Sequence, residues 1–279
     1  MEWFVDATGL EIAYERAGAG PPLVLVHGAA EDSRSWRPQL AALSDELTVV
    51  AWDEPGTGRS SDVPPGFGLT DWADCLAALI ESLRLGPAHV AGLSWGGTVV
   101  LELYRRHPDL VRTLILVDTY AGWSGSLPRE EVDARLAGLD TTLAAEEFDP
   151  TLPGLFGHEP TAEVATLMAE MAETVRPHSF GMVLTAVAEA DLSDMLATIA
   201  VPALLIWGEL DARSPLAVAR QIEAAIPDTT LVVIPECGHV SNLERPDEVN
   251  AAIRRFCRQA GARRSASVRS RDAGRPGTT

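Results

Sequence analysis

The chain has 279 residues, 46% of them hydrophobic, enough apolar material to bury a large core. Its formal net charge of −18 excludes nucleic-acid binding, whose affinity rests on neutralising phosphates, and disfavours long-range steering of anionic substrates. All 22 basic residues are arginine, so Schiff-base lysine and P-loop lysine chemistry are excluded as well.

In chain order, residues 3–16 alternate apolar and polar around Thr8-Gly9 and predict a β-hairpin. Leu23–Val26 is a short all-apolar run, as expected of a parallel strand buried on both faces; it ends in His27-Gly28-Ala29-Ala30. A helix from about Trp36 and a strand over Leu47–Trp52 lead to the turn Asp53-Glu54-Pro55-Gly56-Thr57-Gly58-Arg59-Ser60. That Gly-x-Gly lacks a third glycine and a following helix, so it reads as a structural turn rather than a nucleotide loop. The spacing of Leu76, Leu79, Ile80 and Leu83 predicts a helix over Leu69–Leu85. Next comes an apolar strand ending in Gly92-Leu93-Ser94-Trp95-Gly96-Gly97, followed by a helix that stops at His107-Pro108. Thr113–Val117 is a further buried strand. This alternation of strand and helix predicts a parallel sheet covered on both faces.

From about Ala121 to Ala200 the alternation stops, and only helical patterns occur: 129–138, 160–175, 178–190 and 192–199. A helical excursion between two strands predicts a cap over the strand ends. Its apolar residues close the cap's own core, with Trp123, Phe156 and Met182 as candidates to face a substrate. The sheet resumes at Ala203–Trp207, continues with a helix near 214–226 and the strand Thr230–Ile234, and closes with a helix over Pro246–Gln259. The tail over 261–279 has five arginines against one aspartate and no apolar face, and is expected to be disordered. There is no run of eighteen apolar residues and no basic, signal-like start, so a cytoplasmic chain is expected. The scattered Cys75, Cys237 and Cys257 have no metal spacing and read as reduced thiols.

A serine squeezed between glycines at a strand-to-helix turn has the geometry of a nucleophile. An unassisted hydroxyl is a poor nucleophile, so it needs a base and a carboxylate to orient that base. Parallel strands bring distant residues together at their C-terminal ends. His239, after the last strand in Gly238-His239-Val240, is the expected base. Asp211, after Ala203–Trp207, is the favoured acid, with Asp118 as its competitor. The backbone N–H groups of Trp95 and Ala29 are the expected oxyanion donors. His27 and Val240 complete the candidate pocket, although His27 also suits hydrogen bonding to its own loop.

Five motifs occur in order: His27-Gly28, Asp53-x-x-Gly56-x-Gly58-x-Ser60, Gly92-x-Ser94-x-Gly96-Gly97, Trp207-Gly208-x-x-Asp211, and Gly238-His239 with Glu244-x-Pro246. Together they resemble the α/β-hydrolase superfamily over residues 1–259. The resemblance implies an eight-stranded, mostly parallel sheet flanked by helices, with a helical cap inserted after the sixth strand. The core would span 1–120 and 201–259 and the cap 121–200. It also implies a Ser94–His239–Asp211 triad working without cofactor or metal.

Within the superfamily, Ser94 argues against the branches with an aspartate nucleophile, and Trp95 stands where haloperoxidase-like members usually carry methionine. The chain is most similar to 3-oxoadipate enol-lactonase-like ester hydrolases, which implies a small ester or lactone substrate and a monomer or homodimer. Proline iminopeptidase-like enzymes are also similar, and this cap carries twelve acids against three arginines over 121–190. Carbon–carbon hydrolases of ring-cleavage products, and a non-hydrolytic enzyme or receptor on the same scaffold, are the remaining alternatives.

Overall fold

A computed structural model describes residues 2–7, 9–138 and 154–273. Eight strands form one sheet: β1 Glu2–Ala7, β2 Leu10–Ala17, β3 Pro22–Val26, β4 Thr48–Trp52, β5 Ala88–Leu93, β6 Val111–Val117, β7 Ala203–Gly208 and β8 Thr229–Ile234. Their spatial order is β1-β2-β4-β3-β5-β6-β7-β8. The pairs β1/β2 and β2/β4 are antiparallel, and all others are parallel. The expected fold class is the one observed.

Alternate side chains of a strand point to opposite faces, and β3 shows how two cores result. Val24 and Val26 pack into the larger apolar layer, while Leu23 and Leu25 pack into the smaller. The larger layer is covered by α2 (Leu69–Ser82), α3 (Trp95–Arg106) and α7 (Leu216–Ala225). On the other face lie α1 (Arg37–Leu43) and the last helix, α9 (Pro246–Ala273), through Val249, Ile253 and Phe256. With both faces covered, the middle strands are mostly apolar, which is why Leu23–Val26, Val49–Trp52, Leu114–Val117 and Ala203–Trp207 are such plain runs in the sequence.

Between β6 and β7 the described residues form α4 (Arg129–Ala137), α5 (Ala162–Ala172), α6 (Pro177–Glu189) and a 3-10 turn over Ser193–Thr198, with no strand among them. In α6, Phe180, Val183, Leu184 and Val187 make one buried stripe that docks onto the main core. In α5, Met168 and Met171 pack instead with Leu243 of α8 (Ser241–Glu244), the short helix before α9.

One expectation is corrected. The tail over 261–279 was expected to be disordered, yet the final helix continues through 261–273, and residues 274–279 lie outside those described. The stretch after Gln259 contains no proline before Pro276 and is rich in alanine and arginine. Local propensity therefore extends a helix already nucleated on the core, even without an apolar face.

Candidate active site

At the end of β5, Ser94 is the single residue joining strand to helix α3, with φ 51° and ψ −120°. That positive φ is strained for any side chain larger than hydrogen, and the surroundings hold it. The Ser94 N–H donates to the Val117 carbonyl at 2.9 Å, and its own carbonyl accepts from the Thr119 hydroxyl. A Cβ on Gly92 would overlap the Gly96 carbonyl, and one on Gly96 would overlap the His27 carbonyl. The glycines are thus required by close backbone approach.

The loop after β8 brings His239 to this serine, with 2.8 Å between Nε2 and the Ser94 Oγ. Behind it, Nδ1 lies 2.9 Å from the Asp211 carboxylate, in the loop after β7. The other Asp211 oxygen accepts the backbone N–H groups of Arg213 and Ser214, both at 2.8 Å. With the carboxylate holding the proton at Nδ1, Nε2 is left to accept from the serine hydroxyl. The cap adds a brace: the His239 N–H donates to the Leu155 carbonyl at 2.7 Å.

Asp118 also sits behind this loop, fully buried, but its oxygens accept the N–H groups of Gly208 at 2.8 Å and Ser241 at 3.2 Å. It ties the end of β7 to the loop carrying His239. Burial and the nearby Asp211 charge raise the Asp118 pKa well above the usual carboxylate range.

Ser94 and His239 line a partly enclosed cavity. Ala29, Trp95, Trp123 and Val240 also line it, together with Tyr120, Leu155, Met168, Phe180 and Leu184. As the first residue of α3, Trp95 has an N–H with no intrahelical acceptor.

Three of the expected pocket residues lie elsewhere. His27 is fully buried: its Nδ1 bonds the Gly28 carbonyl at 2.8 Å, and its Nε2 accepts the Glu54 N–H at 3.0 Å. Burial lowers its pKa, and both ring nitrogens are committed to the loop. Phe156 packs against the core layer containing Cys237 and beside Leu243, lining a separate depression. Met182 lies two residues after Phe180 on α6, hence on nearly the opposite helix face, and lines an outer groove beside Phe67.

Four residues were missed. The Tyr120 hydroxyl bonds the Arg213 carbonyl, and Tyr120 and Arg213 both line the cavity. Glu31 also lines it, accepting the Gly28 N–H at 3.1 Å, and burial raises its pKa to about 7. Glu54 is fully buried and accepts the Trp95 indole N–H at 2.9 and 3.1 Å. Burial, followed by the nearby Glu31, raises its pKa well above the usual range. In the sequence, an acid two residues after the buried strand β4 and another four residues past His27 were the only signals for these two glutamates.

A family model described as the alpha/beta hydrolase fold matches residues 21–246. This chain belongs to the α/β-hydrolase family. It is 28% identical over 248 residues to the (E)-2-((N-methylformamido)methylene)succinate hydrolase of Acinetobacter baylyi, covering 86% of this chain and 91% of that one. Among solved structures, a thermophilic esterase from Thermogutta terrifontis with malate bound superposes with a TM-score of 0.84 at 30% identity, covering 93% of this chain and 99% of that one. The enol-lactonase from Burkholderia xenovorans superposes with a TM-score of 0.75 at 28% identity, covering 91% and 99%. At this coarse level the chain is a hydrolase. Among the described residues no group of three or more His, Cys, Asp or Glu could hold a metal ion, and no helix is long and apolar enough to cross a membrane.

Proposed function

We propose that this hydrolase cleaves a carboxylic ester or lactone of a small organic molecule through an acyl-enzyme on Ser94. The observation that carries the reading is the hydrogen-bonded chain from Ser94 Oγ through His239 to Asp211, opening on an apolar cavity. Ser94 attacks the carbonyl carbon while His239 Nε2 takes its proton. The resulting imidazolium is held by Asp211 and returns the proton to the departing alkoxide. The N–H groups of Ala29 and Trp95 receive the oxyanion, with small side chains at 29 and 30 letting it approach. Water then attacks the acyl-enzyme with His239 again as base, releasing the acid and restoring Ser94.

The esterase and enol-lactonase structures at 30% and 28% identity support this bond class. A proline iminopeptidase-like activity would need acids facing a substrate ammonium. Among the described residues the cavity lining offers only Glu31, held by burial at about 7, and it also contains a cation, Arg213. That balance favours esters and lactones. Short p-nitrophenyl esters, lactones, aminoacyl arylamides and vinylogous diketones assayed side by side should show turnover in the first two classes. Ser94→Ala should lower ester kcat by roughly 10⁴-fold or more, with an unchanged circular dichroism spectrum. Activity surviving in Ser94→Ala contradicts the mechanism.

A further inference from the structure

Arg213 lies two residues past Asp211, and every polar group of its backbone is committed. Its N–H donates to the Asp211 carboxylate, and its carbonyl accepts from the Tyr120 hydroxyl and, at 2.7 Å, from the Arg135 guanidinium. Arg135 is itself bound to Glu131 at 2.6 Å and lies over the Tyr120 and Trp123 rings at 5.7 and 5.1 Å. The backbone from which the Arg213 side chain springs is thus clamped by the base-orienting acid on one side and the cap helix α4 on the other.

The side chain is not committed. Arg213 is half-buried and lines the cavity with Ser94 and His239, yet among the described residues its guanidinium makes no hydrogen bond or ion pair. Arg34, Arg59 and Arg135, also partly buried, each have a carboxylate partner. A partly desolvated cation that feels Asp211 only beyond contact distance is costly, and a structure that keeps one beside a reactive centre leaves room for an anion. A guanidinium on a fixed backbone suits a carboxylate, which it can bind through two parallel N–H bonds.

The acids near this position do not already fill that role. Both Asp211 oxygens are engaged by His239 and by the N–H groups of Arg213 and Ser214. Glu31 bonds the Gly28 N–H, and burial keeps it from being fully charged at neutral pH.

We propose that Arg213 anchors a free carboxylate of the substrate, so that this chain hydrolyses esters or lactones bearing an acid group apart from the scissile carbonyl. This rests on the proposed ester hydrolysis at Ser94 and narrows it to acid-bearing substrates. The anchor takes no part in bond making. It holds the acyl chain so that the carbonyl lies against Ser94.

The test pairs each mono-p-nitrophenyl ester of succinate, glutarate and adipate with the neutral ester in which a methyl group replaces the free carboxylate. The ratio of kcat/KM for acid over neutral ester should exceed one at the best chain length. That ratio should fall about tenfold to a hundredfold in Arg213→Gln, the factor a charge-assisted hydrogen bond carries, and partly recover in Arg213→Lys. A ratio below one at all three lengths, or one that Arg213→Gln leaves unchanged, overturns the anchor. A second arm needs no turnover. Calorimetric titration of succinate, glutarate and adipate into Ser94→Ala should show binding that is lost when Arg213→Gln is added. Binding without hydrolysis of any ester would contradict the acyl-enzyme reading and leave the anchor standing. Hydrolysis of esters with no dicarboxylate binding would do the reverse.

Discussion

Asp211 and Asp118 follow neighbouring strands, and in sequence either suits the acid role. Their hydrogen bonds separate them, because only Asp211 reaches a nitrogen of His239. Asp211→Asn should therefore lower ester kcat by about 10³- to 10⁴-fold with little change in Tm. Asp118→Asn should lower Tm more than kcat, because it loosens the tie between β7 and the His239 loop. Steady-state kinetics and thermal melts of the two variants, with the opposite pattern, would reassign the acid. Glu31 adds a pH dependence. Its folded pKa is raised from 4.5 to about 7, so the folded state holds a proton that the unfolded state has released. Its stabilising contribution is full below the unfolded value and is lost as pH rises toward 7. Relative to wild type, Glu31→Gln should gain stability between about pH 4.5 and 7, each kcal/mol being worth roughly 2–4 °C in Tm. A Tm difference that stays flat across that window refutes this. Both acids show what a sequence withholds at this scale: an aspartate or glutamate letter carries no record of which N–H groups will meet it.

The strand-to-helix turn at Ser94 was the most legible element. Gly92, Ser94 and Gly96 stand between an apolar run and a helical pattern, and backbone overlap explains both glycines. Adding a methyl group there, as in Gly92→Ala, should cost about 1–3 kcal/mol through overpacking, measured by urea unfolding, and should lower esterase activity with it. Unchanged stability would mean that the close approach of β5 and α3 is not needed. The cap helices were legible as helices but not as pocket walls. The apolar stripe of α6 places Phe180 and Leu184 inward and Met182 outward, yet all three are equally apolar in sequence. Which of them faces substrate is decided by how the cap docks, and a single sequence does not encode that contact in any local pattern. The last helix shows the opposite error. The absence of an apolar face was read as absence of structure, although a helix anchored by Val249, Ile253 and Phe256 can extend past its docking surface.

Across the whole molecule, the parallel sheet does the assembling. Ser94, Asp211 and His239 follow β5, β7 and β8, and Ala29 follows β3, so residues far apart in the chain meet at one edge. This was readable because buried parallel strands are plain apolar runs whose C-terminal ends can be located within a residue or two. The antiparallel edge was readable from its alternation. The placement of Arg213 in the cavity wall was not, because it depends on Tyr120, Arg135 and Arg213 meeting across a strand end, a cap helix and a loop. The net charge of −18 and the cavity's Arg213, which has no carboxylate in contact among the described residues, also show that net charge is a poor guide to the charge lining a cavity. The central claim is that Ser94 is a nucleophile activated by His239. The most direct measurement is intact mass after exposure to a fluorophosphonate probe, with the modified peptide mapped. The account predicts one phosphonyl group on Ser94 in the wild type, none in Ser94→Ala, and strongly slowed labelling in His239→Ala. An unlabelled wild type, or a label on any residue other than Ser94, would contradict it.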